Sequence, residues 1–396
     1  MKSIFTFIFL VITGRFQAAF EILRQLRLGT KLAFVGIGLG SYAVHQYPSD
    51  LYQFAERTYY AGYLATRPSS DAIPLSRTAR RNLDELIHIL QGDLIVEFMR
   101  RDLGVKEGYN TWAVAQMSTA LGSAMPVTPS AVKRFFDANL DEKCDCWRET
   151  PDKPPHTGAT GWTLFSMARL GLPAQPQVLA FLLSLQSPSG WWPLHPATWE
   201  PKNASTYATA WATLALCSQL PLQQGTANAE PGKISAAIRN SLRWLAKSRL
   251  ADTARWLDYP ANSPSFKSAS ISALILHVKH SCGDSEGAEP LHREWLDSLP
   301  VEVANASTVE ASNTYITLKN GNLDFDRTRH YTLQWALVAT VDAFKAGTLV
   351  QRAAALQWIE RILTPSLASP EVRNQNWVAA ELLYALKYLR AHITAP

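Results

Sequence analysis

The sequence predicts an all-α protein: a single (α/α)6 toroid preceded by an N-terminal hydrophobic and amphipathic helical arm. Two observations lead to this prediction. Six Ala-rich, mostly apolar segments, each with a polar Thr, Ser or Asn near its start, recur at roughly 45–60 residues, an interval typical of helical repeats. Amphipathic segments of helical period alternate with them, and strand-like alternation is limited to a doubtful stretch at Thr314–Leu318.

Residues 1–47 predict a membrane-associated N-terminal arm. The stretch Ile4–Thr13 is apolar and follows Lys2, as in the hydrophobic region of a signal peptide, and Leu32–Val44 is apolar again. Neither reaches the roughly 20 residues of a comfortable membrane span. Between them, Phe16–Leu26 has an apolar face opposite basic residues, which is typical of an interfacial helix. We therefore expect association with a bacterial inner membrane, with the side that the toroid faces left open. The alternative is that these segments are core helices.

The remainder divides into a linker and the predicted toroid. Residues 48–81 contain several Pro and a Ser-rich turn, which predict a linker with one helix around Asp50–Leu64. Residues 82–396 form the toroid. Its inner helices are apolar nearly all round and are therefore expected to be buried. They are Tyr109–Gly122, Thr157–Gly171, Ala204–Leu220, Phe266–Cys282, His330–Gly347 and Asn374–Leu389.

The outer helices are expected to keep one face in water, because each is apolar on one side and polar on the other. In Leu349–Leu363, for example, apolar positions alternate with Gln351, Arg352 and Glu360. The other outer helices are Leu83–Arg101, Ala131–Leu140, Gln177–Gln186, Ile234–Arg249 and Leu291–Leu299.

Strict alternation of inner and outer helices makes the inner helices parallel, so that their N-termini surround one mouth of the toroid. Six helix N-termini also present a positive field that suits an anionic group such as a diphosphate or a uronic-acid glycan. His156 and His330 are the candidate acid–base groups there, because the pKa of His lies near neutrality. Each residue at the mouth also has a simpler interpretation as a helix cap. The predicted substrate-binding residues are Trp112, His156, Tyr207, Lys267, Arg329 and Trp377.

The composition favours an aromatic-lined pocket over a nucleic-acid surface. The 13 Trp suit a pocket for an isoprenoid or a sugar, although any single Trp has an equally simple role in helix packing. The net charge is +5, but the basic residues are scattered and form no stripe with interleaved aromatics. We therefore expect no nucleic-acid partner.

The four Cys predict no metal site. Cys217 and Cys282 fall on apolar helical faces and are expected to be buried, inert thiols. Cys144 and Cys146 lie in a loop and are too close in sequence for an easy mutual disulfide. They could offer two soft ligands, but no second Cys or His pair follows at the spacing of a zinc site. The cofactor is left open.

One stretch carries a resemblance to a known family. Gln186, Gly190 and Trp192 match the repeat of Gln, a few residues and Gly-x-Trp, with a degenerate echo at Arg255-Trp256. The chain therefore resembles the terpenoid cyclases and protein prenyltransferase β subunits, the squalene–hopene cyclase repeat in particular. In that family the motif is structural: the resemblance implies that Gln186 caps the next helix and lies near the Trp, tying adjacent helix pairs together.

The resemblance also suggests a catalytic acid. Class II cyclases protonate their substrate with the middle Asp of Asp-x-Asp-Asp, and this chain has Asp324-Phe-Asp326-Arg-Thr before the fifth inner helix. The resemblance implies that Asp326 is the proton donor, with Asp324 and His330 beside it. Arg327 replaces the last Asp, and the chain has room for one toroid where such enzymes pair two. The alternative is that both Asp cap the helix. The sequence contains no set of residues that matches the zinc ligands of the prenyltransferases.

The expected function is therefore that of a terpenoid cyclase/prenyltransferase-like protein, which binds or transforms an isoprenoid lipid in a central aromatic-lined cavity. Two alternatives stay open. One is a non-catalytic, membrane-tethered toroid that acts as a scaffold or ligand-binding subunit. The other is a glycan-active (α/α)6 enzyme, which is weakened because few carboxylates lie at inner-helix starts; Asp342 and Glu381 lie deep in their helices.

Overall fold

The computed structural model describes residues 58–65, 72–101, 111–148, 154–196, 201–224, 230–251, 253–261, 267–302, 309–317 and 323–393. The chain divides into two compact units, Met1–Pro68 and Ser69–Pro396. In the first unit, residues 58–65 are helical. The predicted membrane arm, residues 1–47, lies outside the described residues. Among the helices that are described, we find none with the length and apolar character needed to cross a membrane.

The second unit confirms the prediction of an all-α fold. Six described helices coincide with the predicted inner segments and six with the predicted outer segments. The inner helices are α2 (Thr111–Leu121), α4 (Thr157–Arg169), α6 (Thr206–Gln223), α8 (Ala269–Ser281), α10 (Thr332–Phe344) and α13 (Asn376–Ala391). The outer helices are α1 (Arg77–Met99), α3 (Pro129–Ala138), α5 (Pro176–Ser184), α7 (Pro231–Lys247), α9 (Ser285–Glu302) and α11 (Leu349–Ile362). A short α12 (Pro370–Arg373) precedes α13.

The inner helices contact one another in a closed order. Each of α2, α4, α6, α8 and α10 packs against the next inner helix, and α13 packs against both α10 and α2. Most outer helices pack against the inner helix that precedes or follows them in the chain, as α1 does against α2 and α9 against α8 and α10. We call the six inner helices the inner ring.

Four buried Thr side chains in the inner ring form hydrogen bonds within their own helices. The Oγ1 hydroxyl of Thr163, Thr209, Thr213 and Thr340 donates to the carbonyl four residues earlier, at 2.6–2.9 Å. A buried hydroxyl without a partner would be costly, and this bond removes the cost while keeping the side chain small. Small side chains let neighbouring inner helices approach closely, which explains the Ala- and Thr-rich sequence of these segments.

One repeated contact joins outer helices to inner helices. In each copy the indole N–H of a Trp donates to the third carbonyl from the end of the preceding outer helix, and its backbone N–H donates to the fourth residue of the next inner helix. We call this the Trp joint, and its copies in the described chain are Trp147, Trp192 and Trp256. The indole donors lie 2.8, 2.7 and 2.7 Å from the carbonyls of Phe136, Leu182 and Leu245. The backbone donors lie 3.1, 3.0 and 3.1 Å from the hydroxyls of Thr160, Thr209 and Ser272.

The motif that carried the family resemblance contains the second Trp joint. The resemblance implied that Gln186 caps the next helix, but it does not. Its amide donates instead to the carbonyl of Ala237, inside α7, at 2.8 Å and to the carbonyl of Gly190 at 3.2 Å. Gly190 has φ 103°, and a Cβ at this position would lie 2.4 Å from the Asn240 carbonyl oxygen. Gln186 and Gly190 therefore fix the turn against α7 while Trp192 fixes it against α5.

Short strands and one long hairpin connect the helices. The two-residue strands β1 (Trp192–Pro193) and β2 (Ala204–Ser205) pair with each other, as do β3 (Trp256–Leu257) and β4 (Lys267–Ser268). The strands β5 (Val309–Thr317) and β6 (Leu323–Tyr331) form a nine-residue antiparallel hairpin between α9 and α10. The sequence indicated only a doubtful strand there, and the predicted helix from His330 begins instead at Thr332.

Both expectations for the cysteines were wrong. Cys217 and Cys282 form a disulfide that joins α6 to the end of α8 across 65 residues. Cys144 and Cys146 form a second disulfide, with their Cα atoms 5.2 Å apart. The intervening Asp145 has φ 51°, and this left-handed backbone turns the loop so that two cysteines separated by one residue can meet.

Candidate functional site

Three of the predicted substrate-binding residues meet at the N-terminal ends of α2, α4 and α6. The ring of Trp112 lies 5.2 Å from that of His156 and 6.4 Å from that of Tyr207, measured between centroids. The His195 ring, which the sequence did not single out, stands edge-on to His156 at 4.9 Å. The mouth of the inner ring on this side is therefore aromatic.

His156 also performs a structural task. Its Nδ1 accepts the backbone N–H of Ala159 at 3.0 Å, which makes it the N-cap of α4. Ser205 and Ser268 occupy the same capping position at the starts of α6 and α8. Because Nδ1 accepts this bond, the ring proton of neutral His156 is assigned to Nε2. The simpler interpretation of His156 as a helix cap is thus confirmed.

The remaining predicted residues lie at the edges of the helices. Trp377 is the second residue of α13 and is half-buried. Lys267 lies in β4, opposite Leu257. In β6, the pairing register sets Asp324, Asp326, Arg329 and His330 opposite Ile316, Thr314, Ala311 and Glu310. The alternative that Asp324 and Asp326 cap α10 was wrong, because the N-cap of that helix is Tyr331.

Deeper in the inner ring, aromatic side chains from several helices form one continuous cluster. Trp162 of α4 and Trp211 of α6 are stacked with centroids 4.0 Å apart, and Trp335 of α10 lies 5.4 Å from Trp211. Tyr384 of α13 and His277 of α8 lie 6.0 and 5.9 Å from Trp335. The cluster connects through Tyr207 to Trp112 of α2. All six inner helices therefore contribute a ring, and we call this set the aromatic cluster.

A buried carboxyl group, Glu381 of α13, lies beside the aromatic cluster. Its Oε1 accepts a hydrogen bond from the amide of Gln116 on α2 at 2.5 Å, and both side chains are buried. Burial raises the pKa of Glu381 well above its usual value, and the single bond from Gln116 opposes this only in part. Burial therefore favours the protonated, neutral form of the Glu381 carboxyl group.

Glu381 lies close enough to Tyr207 of the aromatic cluster to affect the pKa of its hydroxyl group. Burial raises the pKa of Tyr207 well above its usual value, and a nearby Glu381 carboxylate would raise it further; Trp162 and Trp211 act in the opposite direction. The acid and the phenol therefore share one low-dielectric space, in which a charge formed on either group is strongly felt by the other.

A second buried carboxyl group, Asp342 of α10, has its pKa shifted in the opposite direction. Its two oxygens accept bonds from His277 Nδ1 at 2.8 Å and from the Tyr388 hydroxyl at 2.6 Å, and His280 lies 3.7 Å away. Burial alone would raise the pKa of Asp342, but these partners together hold it below its usual value. One inner ring thus holds two buried carboxyl groups whose surroundings shift their pKa values in opposite directions, which is the pattern by which environment assigns acid and base roles.

Sequence reasoning passed over both carboxyl groups because they lie deep in their helices. Because they lie deep in their helices, both carboxyl groups are buried, and their different partners shift their pKa values in opposite directions. The available signal was a charged residue inside an otherwise apolar stretch, such as Glu381 among Val378, Ala379, Leu382 and Leu383. Among the described residues, no three His, Cys, Asp or Glu side chains are grouped as metal ligands.

Comparison with known proteins gives no functional assignment. No protein-family model matches the chain, and no curated protein matches it either. The solved structures similar to it include a protein from Actinoplanes, with 13% sequence identity over 78% of this chain and 99% of that chain and a TM-score of 0.41. A similarity of this degree carries no argument, so the functional proposal depends on the residues alone.

Proposed function

We propose that this chain is a terpenoid cyclase-like protein that binds and protonates an isoprenoid lipid, with Glu381 as the acid. The observation that carries the proposal is a buried carboxyl group, with its pKa raised by burial, close to Tyr207 of the aromatic cluster. This assignment moves the acid role suggested by the family resemblance from Asp326 to Glu381.

The chemistry of alkene protonation requires these two features together. An alkene is a weak base, so its proton donor must keep its proton at neutral pH and stand in apolar surroundings. Because Glu381 Oε1 accepts the Gln116 bond, Oε2 is the oxygen that carries the proton. Transfer of this proton to an alkene carbon leaves a carbocation on the substrate and a carboxylate on Glu381. The Gln116 N–H then stabilises the carboxylate, and the faces of Trp162 and Trp211 attract the cation.

The residual solvent exposure of side chains around Glu381 supports the presence of space for a ligand beside it. Gln116, Glu381, Trp335 and Tyr384 retain 4–6% exposure, and they come from three of the inner helices. A space lined by these aromatic side chains would suit an apolar, flexible hydrocarbon chain. The apolar mouth formed by Trp112 and Tyr207 offers the corresponding entrance.

A second candidate function is that of a non-catalytic ligand-binding or scaffold protein. The Trp162–Trp211 stack at 4.0 Å favours it, because two indoles in contact fill the level of the ring where a reacting chain would lie. In that case Glu381 and Gln116 serve as a buried polar pair that fixes the contact between α2 and α13.

The disulfides bear on the compartment. Stable disulfides are typical of oxidising environments, and the described chain holds its four Cys in two disulfides. We therefore extend the proposal to a ring unit on the oxidising side of a bacterial inner membrane, with residues 1–47 as the membrane contact.

The experiment that tests the proposal is turnover of polyprenyl substrates by the full chain. Squalene and prenyl diphosphates are incubated with wild type, Glu381→Gln, Asp326→Asn and Glu85→Gln, and products are identified by mass spectrometry. Glu85 is an exposed carboxylate on α1 and serves as the matched control. We expect cyclised or rearranged product from wild type and Glu85→Gln, and a loss of about 100-fold or more in Glu381→Gln.

Two outcomes would overturn the assignment. Equal turnover by Glu381→Gln would remove Glu381 from the reaction, and loss confined to Asp326→Asn would return the acid role to β6. Binding of the same lipids, followed by Trp fluorescence, separates the two candidate functions: binding without product in every protein supports the ligand-binding alternative.

A further inference from the structure

A serine, a histidine and an aspartate form a line of contacts in space at the C-terminal ends of α8 and α10. Asp342 Oδ2 accepts from His277 Nδ1 at 2.8 Å, and His277 Nε2 lies 3.4 Å from Ser281 Oγ. Neither Ser281 nor His277 stands out in the sequence, because their partner Asp342 is 65 residues from His277 along the chain.

The hydrogen bonds define the direction of proton transfer. Because the Asp342 carboxylate can only accept, His277 Nδ1 carries the proton of the neutral imidazole and Nε2 carries a lone pair. Ser281 Oγ is therefore the donor in its contact with Nε2. A hydroxyl donating to an imidazole whose other nitrogen is held by a carboxylate is the arrangement that activates a serine nucleophile.

The three residues differ in solvent exposure in the way that a nucleophilic site requires. The side chains of His277 and Asp342 are 3% and 0% exposed, whereas Ser281 is exposed. Substrate can therefore reach the hydroxyl, while the base and its carboxylate partner are shielded from water.

The surroundings hold this geometry in place. Cys282, directly after Ser281, is bonded to Cys217 of α6, and Gly283 has φ 74° in the turn that ends α8. The Tyr388 hydroxyl donates to the second Asp342 oxygen at 2.6 Å, which fixes the carboxylate from α13. Three inner helices besides α8 therefore support Ser281 and its base.

We propose that Ser281 is the nucleophile of a second site, distinct from Glu381, that transfers acyl groups from neutral carboxylic esters. His277 is its general base, and Asp342 is a positioning residue that fixes the His277 tautomer. Neutral esters are favoured because Ser281 lies at the C-terminal end of α8, where the helix dipole disfavours anionic groups.

The reaction balances with water as the second reactant. Ser281 Oγ attacks the ester carbonyl carbon as its proton moves to His277 Nε2. The C–O bond to the alcohol breaks, and the alcohol leaves with the proton from His277. Water then attacks the acyl-serine, His277 takes and returns one proton, and the carboxylic acid is released with Ser281 restored.

The test is covalent labelling of the folded full chain with a fluorophosphonate, followed by peptide mass spectrometry, and hydrolysis of p-nitrophenyl acetate. Wild type is compared with Ser281→Ala, His277→Gln, Asp342→Asn and Ser130→Ala, since Ser130 is an exposed serine on α3 and a matched control. We expect the label on Ser281, none in Ser281→Ala, unchanged labelling in Ser130→Ala, and at least about 100-fold slower hydrolysis in Asp342→Asn.

The proposal fails if wild type carries no label at Ser281, a result that needs no variant and so does not depend on variant folding. It also fails if His277→Gln, shown by circular dichroism to be folded, labels at the wild-type rate. The pH profile of hydrolysis by Asp342→Asn tests the positioning role. If Asp342 positions His277, the loss should become smaller at high pH, whereas a merely structural loss would be the same at every pH.

Discussion

The Gln116 amide and the Glu381 carboxyl are 265 residues apart in the chain and 2.5 Å apart in space. Gln116 belongs to α2, the first inner helix, and Glu381 to α13, the last. The hydrogen bond that positions the candidate acid is therefore also a contact at which the inner ring closes. This arrangement ties the proposed chemistry to the completeness of the fold.

The first prediction concerns pH-dependent stability. Burial raises the pKa of Glu381 in the folded state well above 4.5, the ordinary value near which it ionises in the unfolded chain. Above that pH the folded state binds more protons, so Glu381 lowers the free energy of unfolding as pH rises toward its folded pKa. Glu381→Gln should remove this decline. Denaturant unfolding of both proteins from about pH 5 to 8 measures it, and parallel slopes in both would show an ionised Glu381.

The second prediction concerns the Trp joint. Trp192→Phe removes the indole donor and leaves the buried Leu182 carbonyl without its bond, which should cost about 1–3 kcal/mol of unfolding free energy beyond the loss of packing. Trp358→Phe is the matched control, because its indole nitrogen has no hydrogen-bond partner among the described residues. Chemical denaturation measures both changes. Equal losses would mean that the joint hydrogen bond contributes nothing.

The third prediction concerns the turn that precedes Trp192. Gly190→Ala places a Cβ 2.4 Å from a backbone oxygen in a left-handed conformation, so we expect at least about 2 kcal/mol of destabilisation. Gly92→Ala in α1 is the control: the added Cβ meets nothing within 4 Å, and higher helix propensity should stabilise by up to about 1 kcal/mol. Thermal unfolding compares the two. A neutral Gly190→Ala would show that the turn can move away from α7.

The fourth prediction concerns the Cys217–Cys282 disulfide. Closing 65 residues of chain should stabilise the fold by about 4 kcal/mol through the unfolded state. The double variant Cys217→Ala/Cys282→Ala should therefore unfold at lower denaturant. The matched control is Cys144→Ala/Cys146→Ala, which opens a loop of two residues and should cost much less. The opposite ranking would contradict a long-range role for the first disulfide.

The sequence allowed the helices to be predicted, because local patterns determine them. Buried inner helices are rich in Ala and Thr, outer helices are amphipathic, and both signals lie within single segments. The second Trp joint could be predicted from Gln186, Gly190 and Trp192, but Trp147 could not, since its loop lacks the Gly-x-Trp pattern. Its role depends on hydrogen bonds to α3 and α4.

The site could be predicted only at its mouth. Trp112, His156 and Tyr207 were found because they follow directly from where helices begin. Glu381 and Gln116 were missed because their pairing depends on ring closure between distant segments. The disulfides were missed for related reasons: Cys217 meets Cys282 only when α6 packs on α8, and Cys144 meets Cys146 only through the left-handed Asp145.

Infrared difference spectroscopy can determine directly whether Glu381 is a neutral acid in the aromatic cluster. The spectrum of wild type minus that of Glu381→Gln, taken at pH 7, isolates the carboxyl group. We expect the C=O stretching band of a protonated carboxylic acid in wild type, and we expect this band to shift when lipid substrate is added. A carboxylate band in its place would contradict a neutral Glu381 and with it the proposed proton donor.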